Sequence, residues 1–214
     1  MKRKLLILLT AAAVVLSASA YSQFTFGVRA GVNFQNMNGK DDAGDKVKND
    51  LTIGFNAGVN VELPVVQDFF LQPGLLFSTK GAKNIGEVNG LKASISYLEL
   101  PINFLYKPLL GKGHLLLGFG PYVAYGIGGK IKTDNESQDI KFKNKVSESD
   151  ASAAYLRPFD AGANILFGYE FDFKLSVQMN AQLGLLNLEP KYEGFTSKAV
   201  TKNTGFGISL GYRF

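Results

Sequence analysis

Hydrophobic and polar residues alternate with a period of two along most of the chain. At its end, the even positions from Phe206 to Phe214 are large and apolar, whereas the odd positions from Gly205 to Arg213 are small or polar. A period of two predicts a β-strand with one apolar and one polar face. Because the alternation continues to Phe214, we expect this strand to be paired in a sheet to its last residue.

Eight segments carry this alternation, and each reaches the roughly 9 to 11 residues that a tilted strand needs to cross a bilayer. They are 24–35, 51–63, 69–80, 95–107, 114–130, 155–171, 173–185 and 204–214. None of the eight shows a helical period. The pattern predicts an all-β fold, an eight-stranded antiparallel up-and-down transmembrane β-barrel.

Three prolines, Pro73, Pro101 and Pro121, lie inside predicted strands. Proline has no N–H to give to a β-ladder, so it normally occurs at sheet edges or at bulges. A closed barrel has no edge. We therefore expect a bulge at each of these positions.

The connections between predicted strands alternate between long and short. The long ones are 36–50, 81–94, 131–154 and 186–203, and the short ones are 64–68, 108–113 and 172. Bacterial outer-membrane barrels have short periplasmic turns and long extracellular loops. This layout predicts that both mature termini are periplasmic.

Aromatic residues lie near the predicted periplasmic ends of the strands, where they would form an interfacial girdle. They are Phe24, Phe69, Tyr106, Phe171, Tyr212 and Phe214.

The first 20 residues have the pattern of a secretory signal peptide. Lys2, Arg3 and Lys4 precede a mostly apolar stretch, 5–16, and the small residues 17–20. The stretch is too short to cross a membrane, for which about 20 apolar residues are needed. We expect a helical signal peptide, 1–20, that is cleaved after Ala20 or after Ser22, followed by one barrel domain, 21–214.

Composition limits the chemistry of the chain. The leader carries three of the five net positive charges, so the rest of the chain is only weakly basic and does not indicate nucleic-acid binding. No cysteine is present, which excludes disulfides and a lipid-modified cysteine. The one histidine, His114, lies beside a short turn, and Asp41, Asp42 and Asp45 are interpreted as a solvated loop. We predict no catalytic, cofactor-binding or metal-binding residues.

Charged residues of both signs lie on the inward faces of the predicted strands. An eight-stranded barrel has an interior just wide enough to be filled by side chains, and ions in so narrow a space must be paired. We predict a structural network of salt bridges, with Arg29 and Glu99 as a pair at mid-height; the alternative is an ion pathway or a proton relay. The predicted lumen network is Arg29, Glu62, Glu99, Lys107, Glu170, Lys174 and Arg213.

The third long connection is rich in lysine and acidic residues, and its alternation at Ile140 and Phe142 suggests that the strands continue as a protruding hairpin. Such a hairpin could bind a protein partner by strand addition. The alternative is a solvated loop whose lysines contact anionic lipopolysaccharide in the outer-membrane lipid. At the other end of the barrel, the strand ending at Phe214 is expected to bind the barrel-insertion machinery.

Five stretches resemble the small outer-membrane β-barrel proteins of Bacteroidota, which are often labelled porin-family or PorT-like. They are FGVRAGVNF at 26–34, YLELPINFLYK at 97–107, GFGPYVAYGIGGK at 118–130, RPFDAGANILFGYEF at 157–171 and GISLGYRF at 207–214. The resemblance implies an integral outer-membrane protein with no known enzymatic role. One member type is similar to a component of a protein secretion system.

Three hypotheses for function follow. The first is a non-enzymatic outer-membrane barrel that supports envelope integrity or surface interactions through its loops. The second is a narrow channel for ions or small solutes. The third is a membrane enzyme acting on the loop side.

Overall fold

The computed structural model describes residues 24–147, 153–194 and 196–214, so the predicted leader and both cleavage positions lie outside the described residues. One 3-10 turn, Ile85–Glu87, accompanies fourteen strands in the described part. In chain order the strands are β1 Thr25–Lys40, β2 Lys46–Val47, β3 Thr52–Val66, β4 Phe69–Lys83, β5 Lys92–Tyr106, β6 Leu109–Leu110, β7 Gly113–Lys132, β8 Ser137–Phe142, β9 Lys145–Val146, β10 Ala154–Leu156, β11 Phe159–Glu170, β12 Leu175–Gly184, β13 Lys191–Tyr192 and β14 Val200–Arg213.

Eight long strands close into a barrel, in the order β1-β3-β4-β5-β7-β11-β12-β14, and each pairs antiparallel with both neighbours. The seam is the pairing of β14 with β1, from Gly27 opposite Arg213 to Lys40 opposite Val200. The Phe214 N–H donates to the Phe26 carbonyl at 2.9 Å, so the chain is tied into the sheet to its last residue. The predicted eight-stranded antiparallel barrel is confirmed.

The two ends of the barrel differ in the length of their connections. At the turn end the strands are joined by 67–68, 107–112 and 171–174. At the loop end they are joined by 41–51, 84–91, 133–158 and 185–199, which contain the short strands β2, β8, β9, β10 and β13. Several strands run further toward the loop end than the alternation predicted; β1, for example, continues to Lys40.

The two faces of each strand have opposite environments. Inward residues such as Asn33 and Glu99 are 3% and 1% exposed, whereas the outward Val32 and Leu100 are 46% and 49% exposed. The outer wall is therefore an apolar band. Aromatic pairs surround its turn end, among them Phe69 stacked on Tyr106 at 4.6 Å and Tyr212 edge-on to Phe214 at 5.2 Å.

The bulges predicted at the three prolines are wrong. Pairing is interrupted beside Pro73 and Pro101 and resumes in the same register, and Pro121 stays opposite Ala163. Proline lacks the backbone N–H that would donate one hydrogen bond to the ladder. Its fixed φ is compatible with extended backbone, so the register of the two strands does not change. The register shifts elsewhere, at Pro64/Val66 and at Ser96/Tyr97.

Two predicted strand boundaries are also corrected. The sixth barrel strand begins at Phe159, because Tyr155 belongs to β10, which pairs in parallel with β8. The seventh begins at Leu175, because the chain turns over 171–174 with Lys174 at a φ of 70°. The described residues contain no helix with the length and apolarity needed to cross a membrane.

Candidate functional site

Four charged residues meet inside the barrel near its turn end, and we call them the turn-end cluster: Glu62, Lys107, Glu170 and Arg213. The Lys107 Nζ lies 2.9 Å from a carboxylate oxygen of Glu62 and 2.9 Å from one of Glu170. Arg213 donates to the other oxygen of Glu62. All four side chains are at most 8% exposed. Two cations and two anions thus share one buried site.

Amides extend the turn-end cluster up the lumen. Gln72 donates to Glu62 at 3.2 Å and accepts from Asn103 at 3.3 Å, and Asn164 donates to Asn103 at 2.6 Å. On β3, two residues from Glu62, Asn60 accepts a hydrogen bond from Arg213 at 2.7 Å. Because buried polar groups are costly without partners, these amides stabilise the ions that they contact.

A second group of ions lies near the loop end, and we call Lys80, Glu99 and Asp160 the loop-end cluster. The Lys80 Nζ is 3.0 Å from Glu99 and 3.2 Å from Asp160, and all three side chains are at most 1% exposed. The ammonium also lies 4.1 Å from the ring centroid of Tyr122, a distance typical of a cation-π contact. Tyr122 and Asn203 both donate to Asp160, at 3.2 and 2.9 Å.

The predicted Arg29–Glu99 salt bridge is wrong. Glu99 pairs with Lys80 instead, and the described residues contain no salt bridge between Arg29 and Glu99, although their opposite charges attract. Arg29 stands between two glycines, Gly58 and Gly211, on the neighbouring strands, and its buried Nε has no hydrogen-bond partner among the described residues.

Lys174 is also misplaced in the predicted network. It is exposed in the turn 171–174, and its backbone carbonyl accepts a hydrogen bond from the Arg213 N–H. The alternation runs through this turn without a break, so the sequence pattern alone places Lys174 in the lumen.

Lys80 and Asp160 are site residues that the predicted network omits, although the sequence contains a signal for both. Lys80 is an even-numbered residue of its strand, like the inward Gln72 and Ser78, so the alternation places it inward. Asp160 follows the outward Phe159 and is placed inward in the same way. The alternation predicts that the third strand ends at Lys80, whereas β4 continues to Lys83.

Apolar side chains close the lumen above the loop-end cluster. Ile140 of β8, Leu156 of β10 and Leu188 of the last loop are at most 9% exposed. They pack with Ile95, Tyr97 and Tyr122, which line the loop end of the lumen. The loops therefore fold back over the barrel and cover its mouth.

Hydrogen bonds join the loops to one another. Asp42 accepts from the Ser197 hydroxyl at 2.8 Å and from the Lys198 N–H at 2.7 Å, which lowers the pKa of Asp42. The Leu188 N–H donates to Thr201 O at 2.8 Å, and Thr201 Oγ1 donates to Glu189 at 2.6 Å. The Asp42 contacts fix the first loop relative to the last, and the contacts of Thr201 hold the last loop against β14.

The hairpin predicted in the third connection forms between β7 and β8, with Lys130 opposite Asp139. Its outer edge is partly covered, because β10 pairs with Ile140–Phe142 of β8. Half of the length of β8 is therefore already paired within the chain.

No cluster of three or more histidine or acidic side chains that could hold a metal ion occurs in residues 24–147, 153–194 and 196–214. His114 lies at the start of β7, at the turn end and opposite Glu170.

Solved structures of outer-membrane proteins from several bacteria are similar to this chain. OprG of Pseudomonas aeruginosa has a TM-score of 0.50 at 12% identity, with 90% of this chain and 97% of that chain covered. A major outer membrane protein of Thermus thermophilus has a TM-score of 0.45 at 14% identity, covering 90% and 100%. Ail, the attachment invasion locus protein of Yersinia pestis, solved with the heparin analogue sucrose octasulfate, has a TM-score of 0.44 at 12% identity, covering 89% and 99%.

No curated protein matches the sequence. The family model described as "Outer membrane protein beta-barrel domain" matches residues 6–214. Since that match spans almost the whole chain and the barrel closes as the family name requires, the chain belongs to the outer membrane protein beta-barrel domain family and is a protein of the outer membrane.

Proposed function

We propose that this protein is a non-enzymatic barrel with a lumen plugged by side chains, which supports envelope integrity or binds partners through its loops. The observation that carries the proposal is the filling of the lumen. Two buried ion clusters occupy its two ends, and the apolar side chains Ile140, Leu156 and Leu188 cover the mouth. In this proposal the charges stabilise the barrel and the loops provide the working surface.

The orientation is part of the proposal. We infer that the leader, 1–20, is removed, that both mature termini lie in the periplasm and that the loop end faces the cell exterior. The short turns on one side and the long loops on the other support this orientation. On the motifs quoted above, we further place the chain among the small PorT-like barrels of Bacteroidota, with the strand ending at Phe214 as the segment bound by the insertion machinery.

Conductance of the refolded barrel in a planar bilayer tests the plugged lumen. We expect no steady opening, because the two buried ion clusters and the apolar side chains over the mouth fill the lumen; a porin of about 16 strands serves as the positive control. Steady openings would contradict the proposal and favour the narrow channel. In that case substitution of Arg29 or Glu99 should change the conductance.

Single cysteines test the orientation, since the natural chain has none. Ser137→Cys lies in β8 at the loop end, and Lys112→Cys lies in an exposed turn at the other end. On intact cells, a membrane-impermeant maleimide should label Ser137→Cys only. Lys112→Cys should become reactive once the outer membrane is permeabilised, and the reverse order of labelling would refute the orientation.

A further inference from the structure

A basic pocket lies on the outer wall of the barrel, on the loop-end side of the apolar band. It has a volume of about 360 Å³ and is formed by two neighbouring strands, β5 and β7. Its lining consists of Lys92, Ser94, Ser96, Gly128, Gly129, Lys130 and Lys132. Three ammonium groups and two hydroxyls thus share one concave surface.

The register shift between β5 and β7 creates this pocket. Tyr97 pairs with Gly126 but Ser96 pairs with Gly128, so Ile127 is an extra residue on β7. An extra residue reverses the alternation beyond it. Below the shift the even residues of β7 face the lumen, as Tyr122 does, whereas above it Lys130 faces outward. The bulge therefore carries two lysines from the lumen side to the outer wall.

The pocket stands directly above the membrane-facing band. The outward pair below it is Leu98 with Tyr125, followed by Leu100 with Val123, and all four are at least 43% exposed. With a strand rise of about 3.3 Å per residue and a tilt near 40°, the serine backbones lie about 5–10 Å and the lysine backbones about 10–15 Å beyond this band. The headgroup layer is about 5–7 Å thick on each side of the hydrocarbon core. Ser96 therefore lies within this layer, and the lysines lie just outside it, from where their long flexible side chains can extend into it.

The protein balances the charges in the pocket only in part. Lys92 is directly opposite Lys132 on one side and Lys83 on the other, so three lysines form a row across β4, β5 and β7. Like charges opposed across a ladder are destabilising. Asp139 lies 3.7 Å from Lys130, and Asp50 pairs with Lys83 in the backbone ladder. No salt bridge within the described residues involves Lys92 or Lys132, which face each other.

We propose that this pocket binds the phosphate of a phosphorylated lipid headgroup in the leaflet at the loop end. Lysine ammoniums and serine hydroxyls are the donors that a phosphate accepts from, and the surface of Gly128 is open, with no atom within 4 Å of the position a Cβ would take. The inference deepens the proposed function, since it rests on the loop end facing the outer leaflet. It gives the barrel a specific lipid partner on its wall, in addition to the loops.

Lipid binding to the folded barrel in neutral detergent micelles tests the pocket, with native mass spectrometry as the readout. The probe is diphosphorylated lipid A, and the comparison lipid is the same molecule with its phosphates removed. We expect one tightly retained lipid A. The triple variant K92Q/K130Q/K132Q should weaken its retention at least about tenfold, because each lysine near an anionic lipid surface contributes about a fivefold change in affinity.

A matched variant controls for total charge. K112Q/K141Q/K174Q removes three exposed lysines elsewhere and should change lipid A retention less than about twofold. Equal weakening in the two variants, or equal retention of the dephosphorylated lipid, would overturn the proposal. If millimolar inorganic phosphate displaces lipid A completely, the site is one for free phosphate and the lipid assignment is wrong. The conductance and cysteine-labelling experiments test the proposed function without involving these lysines. A failure of the plugged lumen or of the orientation can therefore be distinguished from a failure of the lipid pocket.

Discussion

Replacing Glu62 with glutamine is expected to lower the free energy of unfolding of the barrel by about 3–5 kcal/mol, the usual cost of removing one partner from a buried salt bridge. Glu62 accepts from both cations of the turn-end cluster, Lys107 and Arg213. Without its charge, the site holds two cations and only Glu170. Arg213 is the more affected cation: Lys107 keeps the carboxylate of Glu170, whereas Arg213 is left with neutral acceptors, namely the new amide oxygen, Asn60 and the Thr25 carbonyl.

Urea unfolding of the refolded barrel, followed by the gel shift on heating, measures this loss. Glu87→Gln is the matched control: it breaks the Lys48–Glu87 salt bridge, whose side chains are 76% and 69% exposed. An exposed pair contributes about 0–1 kcal/mol. If Glu62→Gln and Glu87→Gln lowered the free energy of unfolding by the same small amount, the turn-end cluster would not stabilise the fold.

A compensating variant separates charge imbalance from lost packing. Glu62→Gln combined with Arg213→Met leaves Lys107 with Glu170, one cation with one anion at 2.9 Å. We expect the double variant to be more stable than Glu62→Gln alone, since removing both members of a buried pair leaves no unpaired ion. If the loss of unfolding free energy in the double variant were instead the sum of the losses in the two single variants, lost packing rather than charge imbalance would explain it.

The strands could be predicted because their signal is local. Each strand shows its two faces in its own sequence, and the exposed fractions of Val32 and Asn33, 46% and 3%, follow the alternation. The closing strand could be placed for the same reason. Strand ends were less accurate, because inward apolar residues such as Ala82 and Ala93 pack against the loops and prolong the strands beyond the polar lumen.

Which charged side chains form salt bridges inside the lumen depends on the relative heights of neighbouring strands. The alternation within one strand does not contain this information. Arg29 and Glu99 are on β1 and β5, which are separated by β3 and β4. Lys80 is on β4, next to β5, and its side chain reaches Glu99 across a single ladder. The turn-end cluster was easier to anticipate, because its four members lie near one end of their strands.

The bulge at Ser96/Tyr97 could not be predicted from the alternation. It moves Lys130 and Lys132 outward although their parity in the sequence places them inward. Nothing in the run of glycines at 126, 128 and 129 indicates which residue is the extra one. A single inserted residue thus determines whether two charges add to the lumen or to the lipid-facing wall.

The lumen charges balance once Arg29 is counted with the loop-end cluster. The turn-end cluster has two cations and two anions, and the loop-end cluster becomes neutral when Arg29, which interacts with Glu99, is counted with Lys80 against Glu99 and Asp160. Local neutrality is what a buried structural network needs, because an uncompensated ion in a low-dielectric site is strongly unfavourable.

Replacing Lys80 with methionine should therefore destabilise the barrel by about 3–5 kcal/mol in neutral micelles, because it leaves two buried carboxylates without the cation that pairs with both. The exposed Lys83→Met, three residues along the same strand on the outer face, is the control, and we expect it to stay within about 0.5 kcal/mol of the natural chain.

The double variant Lys80→Met/Asp160→Asn decides between a structural network and an ion pathway. It leaves Glu99 with Arg29, and the new amide at position 160 can still accept from Tyr122 and Asn203, so more than half of the lost stability should return. If Lys80→Met is instead as stable as Lys83→Met, the cluster does not hold the barrel together. The local neutrality of the lumen would then need another explanation, and conductance of the Lys80→Met barrel would be the first measurement to make.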